Sequence, residues 1–195
     1  MSARVAVLAS GAGTNLGALM EDEVTGPWVV LTVSDVKDSG ALERARAKAI
    51  EAVFVDPATH GNRERYDRAL LSLLEARDID YVALAGFMRI LGPEFVKAFR
   101  GRMLNIHPSL LPAFPGAHSV GDALRAGVEK TGVTIHFVDE QVDHGPIVAQ
   151  EEVPVLPGDD WESLEARVHS VEHRLYPMTL QALVEGRLKL GEAAS

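Results

Sequence analysis

Residues 5–16 read Val5-Ala-Val-Leu-Ala-Ser-Gly-Ala-Gly-Thr-Asn-Leu16, a short apolar run followed by small residues and then by a helical pattern. This order predicts a buried β-strand, a tight loop and an α-helix. Four more apolar runs follow, each separated from the next by a helical pattern. Such alternation is typical of a parallel sheet with helices on both faces. We therefore expect a doubly wound, mostly parallel, Rossmann-like α/β fold in a single domain of residues 1–195.

The apolar runs and helical patterns place the individual elements. The predicted strands are Val5–Leu8, Val29–Val33, Val53–Val55, Tyr81–Ala85 and Met103–Ile106. The predicted helices between them are Leu16–Glu23, Ala41–Ala49, Arg63–Arg77 and Pro93–Phe99. Ligands in such folds gather beyond the carboxyl ends of the strands, so the loops that follow the strands are the first places to search for a site.

The pattern changes after residue 106. Three prolines, Pro108, Pro112 and Pro115, predict a long ordered loop without regular structure. A short helix near residues 122–126 follows, and then a hairpin-like pair of strands, Thr134–Val138 and Ile147–Val155. A long amphipathic helix from Trp161 to Val184 ends near Gly186, and we expect the last few residues to fray.

Composition excludes several classes of protein. The 195 residues include no cysteine, so disulfide scaffolds, thiolate zinc sites and cysteine nucleophiles are excluded. A net charge of −9 disfavours non-specific binding to nucleic acid and to anionic membranes. No signal-peptide pattern opens the sequence, and no run approaches the roughly 20 apolar residues of a membrane helix. We expect a cytoplasmic protein that binds neither nucleic acid nor membrane.

The small-residue loop at residues 10–16 is the first candidate site. Its backbone N–H groups and the positive end of the following helix predict a site for one phosphate. Leu16 stands where the dinucleotide motif has its third glycine, and the Gly-Lys-Ser/Thr ending of a Walker loop is missing. Asp35, about 20 residues further on, keeps a weak dinucleotide interpretation open. The alternative is a purely structural turn in which Thr14 or Asn15 caps the helix.

Asn105 and His107 are the second candidate, at the end of the fifth predicted strand. Because side chains alternate along a strand, both project from one face, about 7 Å apart. An amide beside an imidazole can donate hydrogen bonds to a developing oxyanion. A lone histidine at a strand end is often only a structural group. The neighbouring proline-rich loop favours a functional role because a rigid loop can form the wall of a cavity.

Asp143 is the third candidate, in the turn of residues 141–146. A carboxylate near His107 would raise the pKa of the imidazole and orient the ring. As a turn residue before Gly145, Asp143 also has a sufficient structural explanation. The sequence by itself does not decide between these two interpretations.

Residues 86–91 are the fourth candidate, because they are unusually apolar for a loop. Apolar surfaces of this kind receive flat ligands, and core packing of Met88, Ile90 and Leu91 is the alternative. The 7 histidines form no metal-binding motif, and Ser109 lacks a G-x-S-x-G context. We therefore expect neither a metal site nor a serine hydrolase.

Four segments together resemble the phosphoribosylglycinamide formyltransferases, folate-dependent enzymes of purine synthesis. They are Ser10–Leu16, Ala85–Leu91, Asn105–Pro112 with Phe114–Gly116, and Asp143–Pro146. The resemblance extends from about residue 4 to residue 190. It implies transfer of a formyl group from 10-formyltetrahydrofolate to the amine of glycinamide ribonucleotide, without a metal.

The resemblance also implies a role for each matching residue. Gly13, Thr14 and Asn15 would hold the ribotide phosphate, and His169 and Glu172 would bind elsewhere on the ribotide. Asn105, His107 and Asp143 would be catalytic, with Asp143 keeping the imidazole charged. The folate would contact Arg63, Met88, Arg89, Ile90, Leu91, Asn105, Asp139, Glu140, Gln141, Val142 and Asp143. The ribotide phosphate site would thus lie in the N-terminal half and the folate site toward the C-terminal half.

Some positions depart from the family pattern, and some alternatives stay open. His118–Asp122 stands where family members have a more basic run. His144 stands where the family commonly has glycine, His169 where it commonly has glutamine, and Asp35 where it commonly has asparagine. Hydrolysis of 10-formyltetrahydrofolate is one alternative function, and a non-catalytic nucleotide-binding module is another. The sequence also leaves a homodimer open, since an apolar helix face can serve a core or a partner.

Overall fold

Seven strands form one sheet in the computed structural model, which describes residues 2–191. They are β1 (Val5–Leu8), β2 (Val29–Ser34), β3 (Glu51–Phe54), β4 (Tyr81–Leu84), β5 (Met103–His107), β6 (Lys130–Phe137) and β7 (Ile147–Pro154). Their order is β3-β2-β1-β4-β5-β6-β7. The first five strands are mutually parallel, and β6 and β7 join antiparallel. The predicted doubly wound fold with a hairpin-like extension is therefore confirmed.

Within the described residues, six α-helices cover the two faces of the sheet. They are α1 (Thr14–Glu21), α2 (Gly40–Ala47), α3 (Arg63–Glu75), α4 (Pro93–Ala98), α5 (Ser119–Ala126) and α6 (Trp161–Val184). Helices α1, α2, α5 and α6 pack on one face, and α3 and α4 pack on the other. Alternation along β1 supplies both cores, because Val5 and Val7 face the first group and Ala6 and Leu8 face the second.

The predicted bounds of strands and helices agree best with the observed bounds where the hydrophobic pattern of the sequence is strongest. The bounds of β1 and α6 match the prediction, whereas β6 begins at Lys130 rather than Thr134 because it pairs with β7 along its whole length. Helix α5 begins at Ser119, three residues before the predicted start. The predicted fraying of the chain end concerns residues 192–195, which lie outside the described residues.

Helix α6 is joined to the middle of the sheet by a buried tyrosine. The hydroxyl of Tyr176 lies 2.9 Å from the carbonyl oxygen of Leu84 and 3.2 Å from that of Leu104. These carbonyls belong to β4 and β5, so one side chain links the helix to two neighbouring strands. No helix within residues 2–191 combines the length and apolar character that a bilayer span requires.

The strand order reverses between β1 and β4. The chain leaves β1 toward β2 on one side, and later returns to place β4 on the other side. Loops that diverge at such a point leave a crevice at the carboxyl edge of the sheet. The β1–α1 loop (residues 9–13) and the β4–α4 loop (residues 85–92) border this crevice.

Candidate active site

A cavity of about 850 Å³ opens at the carboxyl edge of the sheet. It is lined by the β1–α1 loop, the β4–α4 loop, the end of β5, residues 138–143 and one face of α6. This volume is at the upper end of the range for small-molecule sites. Almost every residue predicted from the sequence lines it, so the four candidate segments meet in one place.

The β1–α1 loop turns into α1 through a glycine. Gly13 is the N-cap residue and has a φ of +73°, and a Cβ there would lie 2.6 Å from Cα of Ala41. No side chain caps the helix, and Thr14 and Asn15 are its first residues. The alternative in which Thr14 or Asn15 is the cap is therefore wrong. The N–H groups of the first turn of α1 are left without a side-chain partner at the cavity.

Asn15 connects this loop to α6. Its Nδ2 donates a 2.9 Å hydrogen bond to Oε2 of Glu172, a residue that is 3% exposed. Burial raises the pKa of Glu172 to about 7, against the opposing effect of the Asn15 hydrogen bond. Nε2 of His169 lies 3.7 Å from the same carboxylate oxygen, and burial lowers the pKa of His169. These three polar side chains therefore form one group beside the N-terminus of α1.

Asn105 and His107 both contact Asp143. Nδ1 of His107 lies 3.4 Å from Oδ2 of Asp143, and Nδ2 of Asn105 lies 3.4 Å from Oδ1 of the same carboxylate. Asp143 has a φ of +52°, and the backbone N–H of Gly116 donates to its Oδ2 at 2.8 Å. Two turns that are far apart in the sequence thus meet above the end of β5.

Both ring nitrogens of His107 face acceptors. Nε2 lies 2.9 Å from the carbonyl oxygen of Phe114, and Nδ1 faces Asp143. Only a doubly protonated ring can donate to both groups. Burial nevertheless lowers the pKa of His107, and the Phe114 carbonyl and Asp143 only partly offset this effect. The predicted effect of Asp143 therefore has the expected direction, since the carboxylate raises the pKa of the imidazole, but the burial of the ring outweighs it.

His136 completes the group, and the sequence analysis did not identify it. Its Nδ1 lies 2.8 Å from the carbonyl oxygen of Phe137, which can only accept, so Nδ1 carries the proton. Nε2 is then an acceptor, and Nδ2 of Asn105 donates to it at 3.0 Å. This bond holds the Asn105 amide, whose Nδ2 also faces Oδ1 of Asp143. The sequence does not reveal the register of β5 against β6, and this register places Asn105 opposite His136.

The β4–α4 loop forms an apolar wall of the cavity. Met88 is 64% exposed and Ile90 is 55% exposed, whereas Leu91 is 7% exposed and packs in the core beneath α3 and α4. The alternative of core packing therefore holds for Leu91 alone. Arg89 lies 5.0 Å above the ring of Tyr66, with its Nη1 3.9 Å from Oδ2 of Asp35.

A second wall of the cavity consists of residues 139–142. Asp139, Glu140, Gln141 and Val142 all line the cavity, and Val142 is among the exposed large hydrophobic residues. Arg63 is exposed at the start of α3 and is not among the lining residues. Arg63 thus lies outside the lining, with its Nε 3.9 Å from the position of a Cβ at Gly92, the residue after Leu91.

The departures from the family pattern lie mostly at the edge of the cavity. Nδ1 of His144 lies 3.1 Å from Oδ2 of Asp139, and His118 is exposed just before α5. The carboxylate of Asp122 pairs with Arg125 one turn along the same helix. Among the described residues, no group of three or more His, Asp or Glu side chains is arranged to hold a metal ion.

Comparison with known proteins agrees with this arrangement. A structure from Symbiobacterium toebii, described as a glycinamide ribonucleotide transformylase, superposes with a TM-score of 0.94 at 44% identity and covers 99% of this chain and 92% of that one. The phosphoribosylglycinamide formyltransferase of Bacillus subtilis is 39% identical over 98% of this chain and 99% of its own length. The trifunctional purine biosynthetic protein adenosine-3 of Drosophila melanogaster is 46% identical over 94% of this chain.

The extent of the matches differs between these relatives. The chain spans only 14% of the length of the Drosophila protein, whereas it spans nearly the whole bacterial enzyme. A sequence profile of the formyl transferase family matches residues 3–180, which include every candidate site residue. The chain therefore belongs to the formyl transferase family.

Proposed function

We propose that the chain transfers the formyl group of 10-formyltetrahydrofolate to the amine of glycinamide ribonucleotide, a reaction of purine biosynthesis. The observation that carries the proposal is the position of the Asn105, His107 and Asp143 group. It lies in one cavity with the uncapped N-terminus of α1 and the exposed apolar wall of the β4–α4 loop. The name of the Bacillus subtilis relative, matched over almost its whole length, supports the same reaction.

The ribotide is proposed to bind at the N-terminus of α1. Backbone N–H groups of Gly13, Thr14 and Asn15 would receive the phosphate, where the helix dipole favours a negative charge. Such a site works in a chain of net charge −9 because the attraction is local. His169 and Glu172 would then contact the ribose or glycinamide portion, since both line the same cavity.

The formyl donor is proposed to bind between the two apolar walls. Met88 and Ile90 offer exposed hydrophobic surface on one side, and Val142 does so on the other. A flat aromatic ring system between such walls buries apolar area on both of its faces. Asp139, Glu140 and Gln141 supply polar groups nearby, and Arg89 supplies a positive charge. Arg63 would contact only a part of the donor that extends beyond the cavity.

The catalytic residues are proposed to stabilise charge and to move one proton. The glycinamide amine attacks the formyl carbon, a new C–N bond forms, and the carbonyl oxygen becomes negative. Nδ2 of Asn105 and Nδ1 of protonated His107 would exchange their 3.4 Å contacts with Asp143 for hydrogen bonds to this oxygen, each contributing on the order of 3 kcal/mol. The bond from the carbon to N10 then breaks, and Asp143 would help to carry the proton from the amine to N10.

No nucleophile of the protein is needed, because the attacking amine belongs to the substrate. Much of the acceleration would come from holding the two substrates at attack distance in one cavity. This feature agrees with a chain that has no cysteine. Residues 1–195 are proposed to act as one formyltransferase domain.

The experiment that tests the proposal compares two reactions of the donor. Loss of the formyl group from 10-formyltetrahydrofolate is measured with and without glycinamide ribonucleotide, and formylated ribotide is quantified. We expect loss of the formyl group to depend on the ribotide and to yield an equal amount of product. Equal rates in both mixtures, with formate as the product, would support the hydrolase instead.

A further inference from the structure

The β4–α4 loop holds two apolar side chains in an exposed position. Met88 and Ile90 are more than half exposed in this conformation, although transfer of such side chains out of water is favourable. A loop that was free to rearrange would turn them inward. Groups outside the loop must therefore hold its backbone in place.

The first anchor is the side chain of Ser10. Its hydroxyl donates a 2.6 Å hydrogen bond to Oδ1 of Asp35 and accepts a 2.9 Å bond from the backbone N–H of Met88. Asp35 thus takes the hydroxyl proton and leaves an oxygen lone pair for Met88. The backbone N–H of Ser10 also donates to the carbonyl oxygen of Gly86 at 3.1 Å. Two bonds therefore join the β1–α1 loop to the first half of the β4–α4 loop.

The second anchor is Asp67, which lies on α3 and is 5% exposed. Its Oδ2 accepts a 2.8 Å hydrogen bond from the backbone N–H of Gly92. A Cβ at residue 92 would lie 2.7 Å from the same oxygen, so the contact requires glycine. This bond holds the end of the loop, one residue before α4 begins.

We propose that Ser10 and Asp67 are positioning residues, whose side chains hold the β4–α4 loop in the shape that presents Met88 and Ile90 to the formyl donor. This inference rests on the proposed function and extends it to two residues outside the predicted folate-binding set. The two anchors differ in one respect. Ser10 belongs to the loop proposed to bind the ribotide phosphate, whereas Asp67 contacts only the donor side.

Because the two anchors lie on different sides of the cavity, we expect their variants to change different kinetic constants. In the Asp67→Ala variant the backbone N–H of Gly92 loses its acceptor, and we expect KM for 10-formyltetrahydrofolate to rise about fivefold. KM for the ribotide should stay within about twofold, because no contact of Asp67 reaches the ribotide side. Ser10→Ala should raise both KM values, since it releases the loop and alters the phosphate site. Asp67→Asn keeps an acceptor oxygen and should restore most of the donor affinity.

The test combines these kinetics with a binding measurement that does not need turnover. Dissociation constants of tetrahydrofolate are measured by calorimetry for the wild type, the three variants and Ser72→Ala, an exposed serine on α3 that serves as the control. Weaker binding in Asp67→Ala and Ser10→Ala, with normal binding in Asp67→Asn and the control, would support the inference. Unchanged binding in Asp67→Ala, or an equal rise in its two KM values, would overturn it. A wild type that binds tetrahydrofolate but transfers no formyl group would instead contradict the proposed function.

Discussion

Replacement of Glu172 by glutamine is expected to change how the stability of the protein depends on pH. Burial raises the pKa of this carboxyl from 4.5 to about 7. The folded protein therefore holds the proton more tightly than the unfolded chain does. The contribution of Glu172 to the free energy of unfolding is therefore fully present below pH 4.5. It is lost as the pH rises to about 7, and above that pH this contribution no longer changes. The difference between the two pKa values corresponds to about 3 kcal/mol.

The Glu172→Gln variant keeps the shape of the side chain and an oxygen that can accept from Asn15, but it does not titrate. We expect it to match the wild type near pH 4.5 and to become more stable by up to about 3 kcal/mol at pH 8. For a chain of this size, that difference corresponds to a rise in Tm of about 6–12 °C. Thermal melts followed by circular dichroism between pH 4.5 and pH 8 would measure it.

The control is Glu75→Gln, which changes an exposed glutamate at the end of α3. Its Tm should differ from that of the wild type by the same small amount at each pH. Other groups titrate in this range, so the quantity to compare is the difference between each variant and the wild type. A Tm difference for Glu172→Gln that did not grow with pH, or that grew as the pH fell, would refute the reasoning.

Three further predictions concern the cavity. Asp143→Asn removes the charge beside His107, and we expect kcat to fall about 100-fold and the pKa of the imidazole, followed by NMR titration, to fall further. His136→Ala releases the amide of Asn105, which should lower kcat about tenfold with little change in either KM; an unchanged kcat would contradict that role. Gly13→Ala places a Cβ against the start of α2 in a backbone conformation that disfavours alanine, so ribotide binding measured by calorimetry should be lost or greatly weakened.

The fold could be predicted because its strands are buried on both faces. Continuous apolar runs such as Val5–Leu8 stand out from the helical patterns between them, and their alternation already indicates a parallel sheet. The location of the site followed from the same pattern, since ligands gather at the carboxyl edge. Where the pattern was weaker, as at the start of β6, the prediction was four residues late because pairing with β7 extends the strand.

The hydrogen bonds and pKa shifts of the site depend on contacts between distant residues, which the hydrophobic pattern of the sequence does not show. The pairing of Asn105 with His136 requires the register of β5 against β6. The contact of His107 with the Phe114 carbonyl requires the path of the proline-rich loop. The net direction of the His107 pKa depends on how deeply the ring is buried, and no spacing along the chain reveals burial of that degree.

The conformation at the start of α1 could not be predicted for a similar reason. Thr14 and Asn15 are residue types that commonly cap helices, yet the N-cap is Gly13, a glycine in the left-handed region just before Thr14. The close approach of Ala41 leaves room for glycine alone at that position. Asn15 instead turns toward Glu172, a residue 157 positions away in the sequence.

The most direct test of the account is a single-turnover measurement of formyl transfer to glycinamide ribonucleotide by the wild type and by His107→Ala. The rate constant for transfer should fall by about 100- to 1,000-fold in the variant, while the dissociation constant of the ribotide should change by less than about threefold. Transfer by the variant at the wild-type rate, or an equal loss of transfer and of ribotide binding, would contradict it.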